Sequence, residues 1–274
     1  MLISLVSAKG GPGVTVSTLA LTLAWPRPAV GLEADSRGSE WVVGYAHQHA
    51  GAGHDLLSVH MAATRGVAMD QAIRDRVLQI ADQRWLLLGV PEPQQAGPID
   101  WPRVARAAAS MPDVDVIADC GAITSAHRSS DMCAAADLVL LVVRATAAGV
   151  RAAQLSLPTL RADLRRGGMG DDRLALLVVG AGRPYSSAEV AQAMGGPEQE
   201  LPVVAEMPWD PKVAGFLQSG VKTSRGFSGG FARSSRSVAS KIVAAADAAR
   251  LTTQPARNPF LRTTRTAQPV GEQP

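Results

Sequence analysis

Short aliphatic runs alternate along the chain with longer segments in which apolar residues recur every three or four positions. The aliphatic runs predict buried strands; they cover residues 2–6, 29–35, 84–90, 114–119, 137–143, 173–179 and 203–206. The periodic segments predict helices at residues 15–24, 39–49, 56–63, 67–81, 101–111, 147–166, 187–194, 211–220 and 236–251. This alternation predicts an α/β fold: a doubly wound, mostly parallel sheet of about seven or eight strands with helices on both faces.

The C-terminal segment differs from the rest in composition. Residues 252–274 are rich in Thr, Gln, Pro, Arg and Asn and contain too few apolar residues to build a core. We therefore expect one domain over residues 1–251 and a basic, disordered tail over residues 252–274. Residues 221–274 carry nine basic and two acidic residues, so this end is the positive part of the chain. Such a tail could bind DNA or an anionic membrane surface, or remain solvated.

Several classes of protein are disfavoured by the remaining composition. No run of 18 apolar residues is free of polar interruption, and the N-terminal apolar stretch is too short for a signal peptide. Cys120 and Cys133 form no disulfide framework, and the five histidines have no metal-ligand spacing. The sequence predicts a cytoplasmic protein, with a peripheral position at the inner face of the membrane as the alternative.

The first eighteen residues, MLISLVSAKGGPGVTVST, join an aliphatic strand, a glycine-rich turn and the start of a helix. This is the context of a P-loop, in which backbone N–H groups and the helix dipole bind phosphate. Gly13 and Thr15 match the last glycine and the hydroxyl of the pattern G-x-x-x-x-G-K-[ST]. Val14 replaces the lysine of that pattern, and another lysine, Lys9, stands five residues earlier.

Two later segments place carboxylates where predicted strands end. Glu33 and Asp35 lie in LEADSRG, and Asp119 ends VIAD. Because ligands of doubly wound sheets bind at the carboxyl ends of the strands, we expect these side chains to meet the P-loop. A carboxylate at the position of Asp119 would hold Mg²⁺ through water.

These segments resemble motifs of the ParA/MinD family of deviant Walker A P-loop ATPases. Residues 9–15, KGGPGVT, match the family's K-G-G-x-G-K-[ST] except at the second lysine. Residues 32–38 are similar to its L-x-D-x-D-P-Q-G, residues 136–142 to its AD-x-V-L-L-V strand and residues 207–211 to its I-P-x-D-P segment. The similarity extends over residues 1–220, and more weakly to atypical members found with pilus-assembly and septum-positioning systems.

The resemblance implies a role for each matching residue. Lys9 would be the signature lysine that reaches across a homodimer to the partner's phosphates, and Asp35 would orient the attacking water. Thr15 and Asp119 would bind Mg²⁺. The loop would bind the phosphates of ATP, and a later segment would flank the base; these nucleotide-binding residues are Gly10, Gly11, Gly13, Val14, Thr15, Val16, Pro208, Trp209 and Asp210.

Two departures from the family pattern weaken the implied ATPase. Val14 removes a charge-assisted hydrogen bond worth about 1.5–3 kcal/mol, which corresponds to an affinity lower by about 10- to 150-fold. The loss of turnover should be larger still. Gly180 stands where the family usually has an asparagine that reads adenine. Arg37, Arg144 and Arg183 follow predicted strands and could supply compensating charge, or could be solvated surface residues.

The sequence therefore predicts an ATP- and Mg²⁺-dependent dimer switch with weak or absent hydrolysis. It would position or assemble a larger cellular machine, such as a septum, a pilus or secretion system, or a partition apparatus, together with an unidentified protein partner. Two alternatives remain open. The chain could be a pseudo-ATPase interaction scaffold that does not bind ATP, or a DNA-binding partition protein that uses its basic tail.

Overall fold

A computed structural model describes residues 1–9, 11, 13–41, 44–47, 53–123, 130–168, 170–182, 184–195, 201–220 and 227–253. The chain is built around a single β-sheet. Its eight strands lie in the order β3-β4-β2-β5-β1-β6-β7-β8, and all neighbours are parallel except β3 and β4. The strands are β1 Leu2–Ser7, β2 Ala29–Glu33, β3 Leu78–Ala81, β4 Arg84–Leu87, β5 Asp115–Ala122, β6 Leu138–Arg144, β7 Leu174–Val179 and β8 Val203–Met207.

Helices cover both faces of the sheet. They are α1 Val14–Ala24, α2 Leu56–Thr64, α3 Met69–Arg74, α4 Trp101–Ser110, α5 Ser130–Ala135, α6 Ala147–Arg166, α7 Ser187–Met194, α8 Pro211–Ser219 and α9 Gly229–Thr253. The buried side chains of α2 to α7 belong to one apolar cluster, and those of α1, α8 and α9 belong to another on the opposite face. The predicted fold class is therefore confirmed.

Strand β1 shows why the aliphatic runs predict the sheet well. Leu2 and Val6 point into one apolar cluster, and Ile3 and Leu5 point into the other. A strand with helices on both sides must be apolar at successive positions, because alternate side chains face opposite layers. The central position of β1 brings the loop that follows it to the middle of the sheet's carboxyl edge.

Two predicted helices are wrong. The helix predicted over residues 67–81 ends at Arg74, and residues 78–81 form β3, which pairs antiparallel with β4 through a two-residue turn. The alternating burial of β3 has period two, which a four-residue stretch shows too briefly to be distinguished from a helix. The described residues in the range predicted as helix 39–49 form turns instead.

The last helix also differs from its prediction. Helix α9 begins at Gly229 rather than at residue 236, because Phe231, Ala232 and Ser235 are buried and this packing outweighs the weak helix propensity of two glycines. The helix continues to Thr253, two residues into the predicted tail. Residues 254–274 lie outside the described residues, so the disordered tail and its DNA or membrane contacts stay predictions. Within the described ranges, no helix combines the length and apolar character needed to cross a membrane.

Candidate functional site

The loop between β1 and α1 has two glycines with a left-handed backbone among its described positions. Gly11 and Gly13 have φ of 95° and 100°, in the left-handed region that residues with a Cβ enter only with strain. Gly13 is the N-cap of α1 and has no side chain with which to cap it. The amides of residues 14–16 in the first helical turn are therefore open to an anion. Gly10 lies outside the described residues, and its role stays a prediction.

A cavity of about 290 Å³ lies in front of this loop and is called the P-loop cavity below. It joins the loop to the segment that follows β2, to the last residues of β5 and to helix α8, as expected for a site at the carboxyl edge of a doubly wound sheet. Its lining residues are Ser7, Gly11, Gly13, Val14, Thr15, Val16, Arg37, Glu40, Gly121, Trp209, Ala214 and Gln218.

Thr15 and Asp119 meet beside this cavity. Asp119 is buried, and its carboxylate accepts hydrogen bonds from the Thr15 hydroxyl and, at 2.9 Å, from the amide of Gly121. Burial raises the pKa of Asp119 to about 6, although both hydrogen bonds lower it. A hydroxyl and a carboxylate are the oxygen donors that Mg²⁺ takes in P-loop proteins, so the two residues fit the predicted metal site. Among the described residues, no cluster of three His, Cys, Asp or Glu side chains could hold a metal, at this cavity or away from it.

Glu33 shapes the loop that follows β2. Its buried carboxylate accepts hydrogen bonds from the Ser39 hydroxyl and from the amides of Glu40 (2.7 Å), Trp41 (3.1 Å) and Gly89 (2.9 Å). Burial raises its pKa to about 7, against the lowering effect of these hydrogen bonds. Because the amides of residues 40 and 41 are turned toward this carboxylate, the chain here is a loop and not the predicted helix.

Asp35, the predicted water-orienting carboxylate, forms an ion pair with Arg37. Both carboxylate oxygens of Asp35 lie 3.0 Å from the Nε of Arg37, and an Nη nitrogen also donates to Asp35. On its other side Asp35 contacts Gly121, where an added Cβ would come within 2.2 Å of a carboxylate oxygen. Gly121 also has φ of 65° and lies at a bulge where the register between β1 and β5 shifts. The bulge thus makes room for Asp35 next to Asp119.

Val14 and Lys9 occupy different environments. The Val14 side chain is only 5% exposed and packs in the apolar cluster beneath α1, so this position offers no charge to the P-loop cavity. Lys9 is exposed and lines a second cavity of about 270 Å³, called the Lys9 cavity, together with Arg144 and the start of α6. Gly11 lines both cavities. Lys9, the predicted signature lysine, therefore lies in a different cavity from the one beside the Thr15–Asp119 pair within one chain.

The predicted base-flanking segment lies beside the P-loop cavity. Pro208 and Trp209 line a third cavity of about 400 Å³ together with Gly180 and Arg144, and Trp209 also lines the P-loop cavity. The guanidinium of Arg144 stacks 3.3 Å above the Trp209 ring, and Trp209 is 43% exposed. Asp210 is the N-cap of α8, and its carboxylate accepts hydrogen bonds from two amides in the first turn of that helix. These hydrogen bonds fix the carboxylate at the start of α8.

No protein-family model matches the sequence, and no curated protein matches it significantly. Solved structures do match. The septum site-determining protein MinD from Pyrococcus horikoshii OT3, complexed with Mg-ADP, has a TM-score of 0.65 and 18% identity over 88% of this chain and 95% of that chain. A ParA family ATPase from Chlorobium tepidum TLS has a TM-score of 0.64 and 18% identity, with 87% and 98% covered. A chain of the MinC:MinD cell division protein complex of Aquifex aeolicus has a TM-score of 0.63 and 15% identity, with 89% and 96% covered.

The chain has the MinD/ParA fold. The match extends over nearly the whole length of each of these structures, so it includes the sheet order and the helices on both faces. It confirms, at the level of fold, the resemblance that the sequence motifs indicated. The function of the P-loop with Val14 in place of lysine stays a prediction, and so do the roles of the individual site residues.

Three features of the site have little or no sequence signal. Gly121 is two residues beyond a strand-ending aspartate, but its contact with Asp35 depends on the bulge in β5. The hydrogen bonds of Glu33 reach residues on two loops. Arg144 stands out only as a charge at the end of an aliphatic run, and nothing in the sequence pairs it with Trp209. The position of Arg37, two residues after Asp35, is the one signal that could have indicated an ion pair.

Proposed function

We propose that this chain is a nucleotide-binding protein of the MinD/ParA type, an ATP-dependent dimer switch that positions or assembles a larger cellular machine. The P-loop cavity is the observation that carries the proposal. It brings together open backbone amides for phosphate, the Thr15–Asp119 pair for Mg²⁺ and, beside them, the Asp35 carboxylate. The fold's occurrence in a MinD bound to Mg-ADP supports ATP and Mg²⁺ as the ligands.

Weak or absent hydrolysis is part of the proposal. Phosphoryl transfer depends on cations that neutralise charge on the transferred group. The buried Val14 supplies none at the position of the usual P-loop lysine. This observation supports slow turnover, so the bound state would last long relative to a typical P-loop ATPase.

The position of Lys9 supports the homodimer. An exposed lysine that lines a separate cavity is available to a second subunit, which agrees with a role across a dimer interface. The MinC:MinD complex supports the further proposal of a protein partner. We also propose the cytoplasmic location that the sequence predicts, and the machine itself stays unspecified.

Titration of the purified protein with ATP in Mg²⁺, by calorimetry, tests the proposal. We expect saturable binding that weakens when Mg²⁺ is chelated, and a shift from monomer to dimer in sedimentation velocity with ATP. Lys9→Ala should keep ATP binding and lose the shift, whereas Arg74→Ala, on the remote helix α3, should change neither. Absence of binding at millimolar ATP would contradict the proposal and favour the pseudo-ATPase scaffold.

A further inference from the structure

The charges around the P-loop cavity are unbalanced. Asp119 and Asp35 adjoin it, and Glu40 lines its wall. Among the described lining residues, Arg37 is the only cation, since Val14 has replaced the usual lysine and Lys9 lines a different cavity. Without Arg37 the charged side chains that line or adjoin the described part of the cavity wall next to the Thr15–Asp119 pair would all be carboxylates, and carboxylates repel the phosphates of a nucleotide.

Arg37 is attached to this wall by a short local motif. The backbone amide of Arg37 donates to Asp35 at 2.9 Å, and its Nε and one Nη donate to the same carboxylate. The Arg37 side chain is 55% exposed, whereas that of Asp35 is 15% exposed. The hydrogen bond with Asp35 raises the pKa of Arg37, so the guanidinium is always charged. It can leave Asp35 by side-chain rotation alone, because no core packing has to change.

A nucleotide phosphate would compete with Asp35 for this guanidinium. A diphosphate or triphosphate presents more negative charge and more acceptor oxygens than one carboxylate, and the planar fork of arginine matches two of them at once. A hydrogen bond with a backbone amide keeps Asp35 in place when the side chain of Arg37 moves. The exchange therefore frees the carboxylate without displacing its loop.

We propose that Arg37 is the cation that binds the nucleotide phosphates in place of the missing P-loop lysine, and that Asp35 holds it at the P-loop cavity until a nucleotide arrives. This inference rests on the proposed nucleotide binding. It makes Arg37 a phosphate-binding residue and couples two events: transfer of the guanidinium to phosphate uncovers Asp35 next to Gly121 and Asp119.

Calorimetric titration with Mg-ADP and Mg-ATP tests the inference. Arg37→Ala should weaken binding by about 10- to 150-fold, the loss of a charge-assisted hydrogen bond. Arg74→Ala is the matched control, because Arg74 is also exposed and also pairs with a nearby aspartate, Asp70, but lies on α3. It should bind like the wild type. Circular dichroism of both variants verifies that each is folded.

A charge-relocation variant sharpens the test. Val14→Lys restores the usual P-loop cation, so the double variant Arg37→Ala/Val14→Lys should recover most of the lost affinity. Asp35→Asn removes the carboxylate that competes for Arg37 and should tighten binding by a few fold. If the wild type binds and Arg37→Ala binds equally well, the inference is wrong and the proposed function stands. If the wild type does not bind at all, both are wrong.

Discussion

The two halves of the candidate site are held in different ways. At the ends of β1, β2 and β5, buried carboxylates organise the loops: Glu33 accepts four hydrogen bonds, and Asp119 is bonded to Thr15 and Gly121. At the ends of β6, β7 and β8, the half-exposed Trp209 is covered by the guanidinium of Arg144. We call these regions the phosphate half and the base half.

The difference separates a rigid part of the site from an adaptable one. Buried and multiply bonded groups have their geometry fixed before a ligand arrives, which lowers the entropy lost on binding. A stacked pair at the surface contributes little and can rearrange. We expect the phosphate half to supply most of the nucleotide affinity and the base half to modulate it. The predictions below test this contrast in order of expected effect.

Glu33→Ala should be strongly destabilising. It leaves the amides of Glu40, Trp41 and Gly89 without their acceptor; Trp41 and Gly89 are buried, and each buried unpaired group costs about 1–3 kcal/mol. We expect the free energy of unfolding in urea to fall by about 3–5 kcal/mol. Glu206→Ala, an exposed carboxylate of the base half bonded to Ser187, should change it by less than about 0.5 kcal/mol. Equal losses in the free energy of unfolding for Glu33→Ala and Glu206→Ala would contradict the proposed difference between the two halves.

The pKa of Glu33 predicts a pH dependence of stability. Its value in the folded chain is about 7, above the ordinary 4.5, so the folded state holds this proton more tightly than the unfolded state. The stabilisation by the protonated form is complete below pH 4.5 and is lost as pH rises through about 7, an effect on the order of 3 kcal/mol.

Glu33→Gln does not titrate at this position. Unfolding in urea from pH 4.5 to 7.5 should therefore show the wild type losing stability relative to Glu33→Gln as pH rises. The exposed, non-titrating Gln94→Ala should keep a constant difference from the wild type over the same series. A constant difference for Glu33→Gln would show that its carboxyl has the same pKa in both states.

Much of the phosphate half can be predicted because it follows from local pattern. The aliphatic runs fix the strands, and the residues after them must reach one edge of the sheet. Gly11 and Gly13 predict a turn with a left-handed backbone, because glycine adopts that conformation without strain. Asp119 can be singled out as the carboxylate after an aliphatic run, although β5 continues three residues beyond it to Ala122. None of these inferences needs a contact between distant segments.

The features that could not be predicted depend on tertiary contacts. The range 39–49 has helical periodicity, but the amides of Glu40 and Trp41 donate to the Glu33 carboxylate, which holds them in a loop. The contact of Gly121 with Asp35 follows from a shift in register between β1 and β5. The short strand 78–81 is defined by pairing with β4 and not by its own four residues. In each case a non-local partner overrides the local pattern.

Arg144→Ala is the smallest of the three changes and tests the base half. An exposed cation–π pair contributes about 0.5–1 kcal/mol, so the free energy of unfolding should fall by no more than that. Trp209 is the most exposed of the five tryptophans, since Trp25, Trp41 and Trp101 are buried and Trp85 is partly buried, so a change in acrylamide quenching on Arg144→Ala is expected to come from its ring. Loss of the guanidinium should increase quenching, whereas Arg151→Ala on α6 should leave it unchanged. An effect on Mg-ATP affinity larger than that of Arg37→Ala would reverse the contrast, because the base half would then dominate binding.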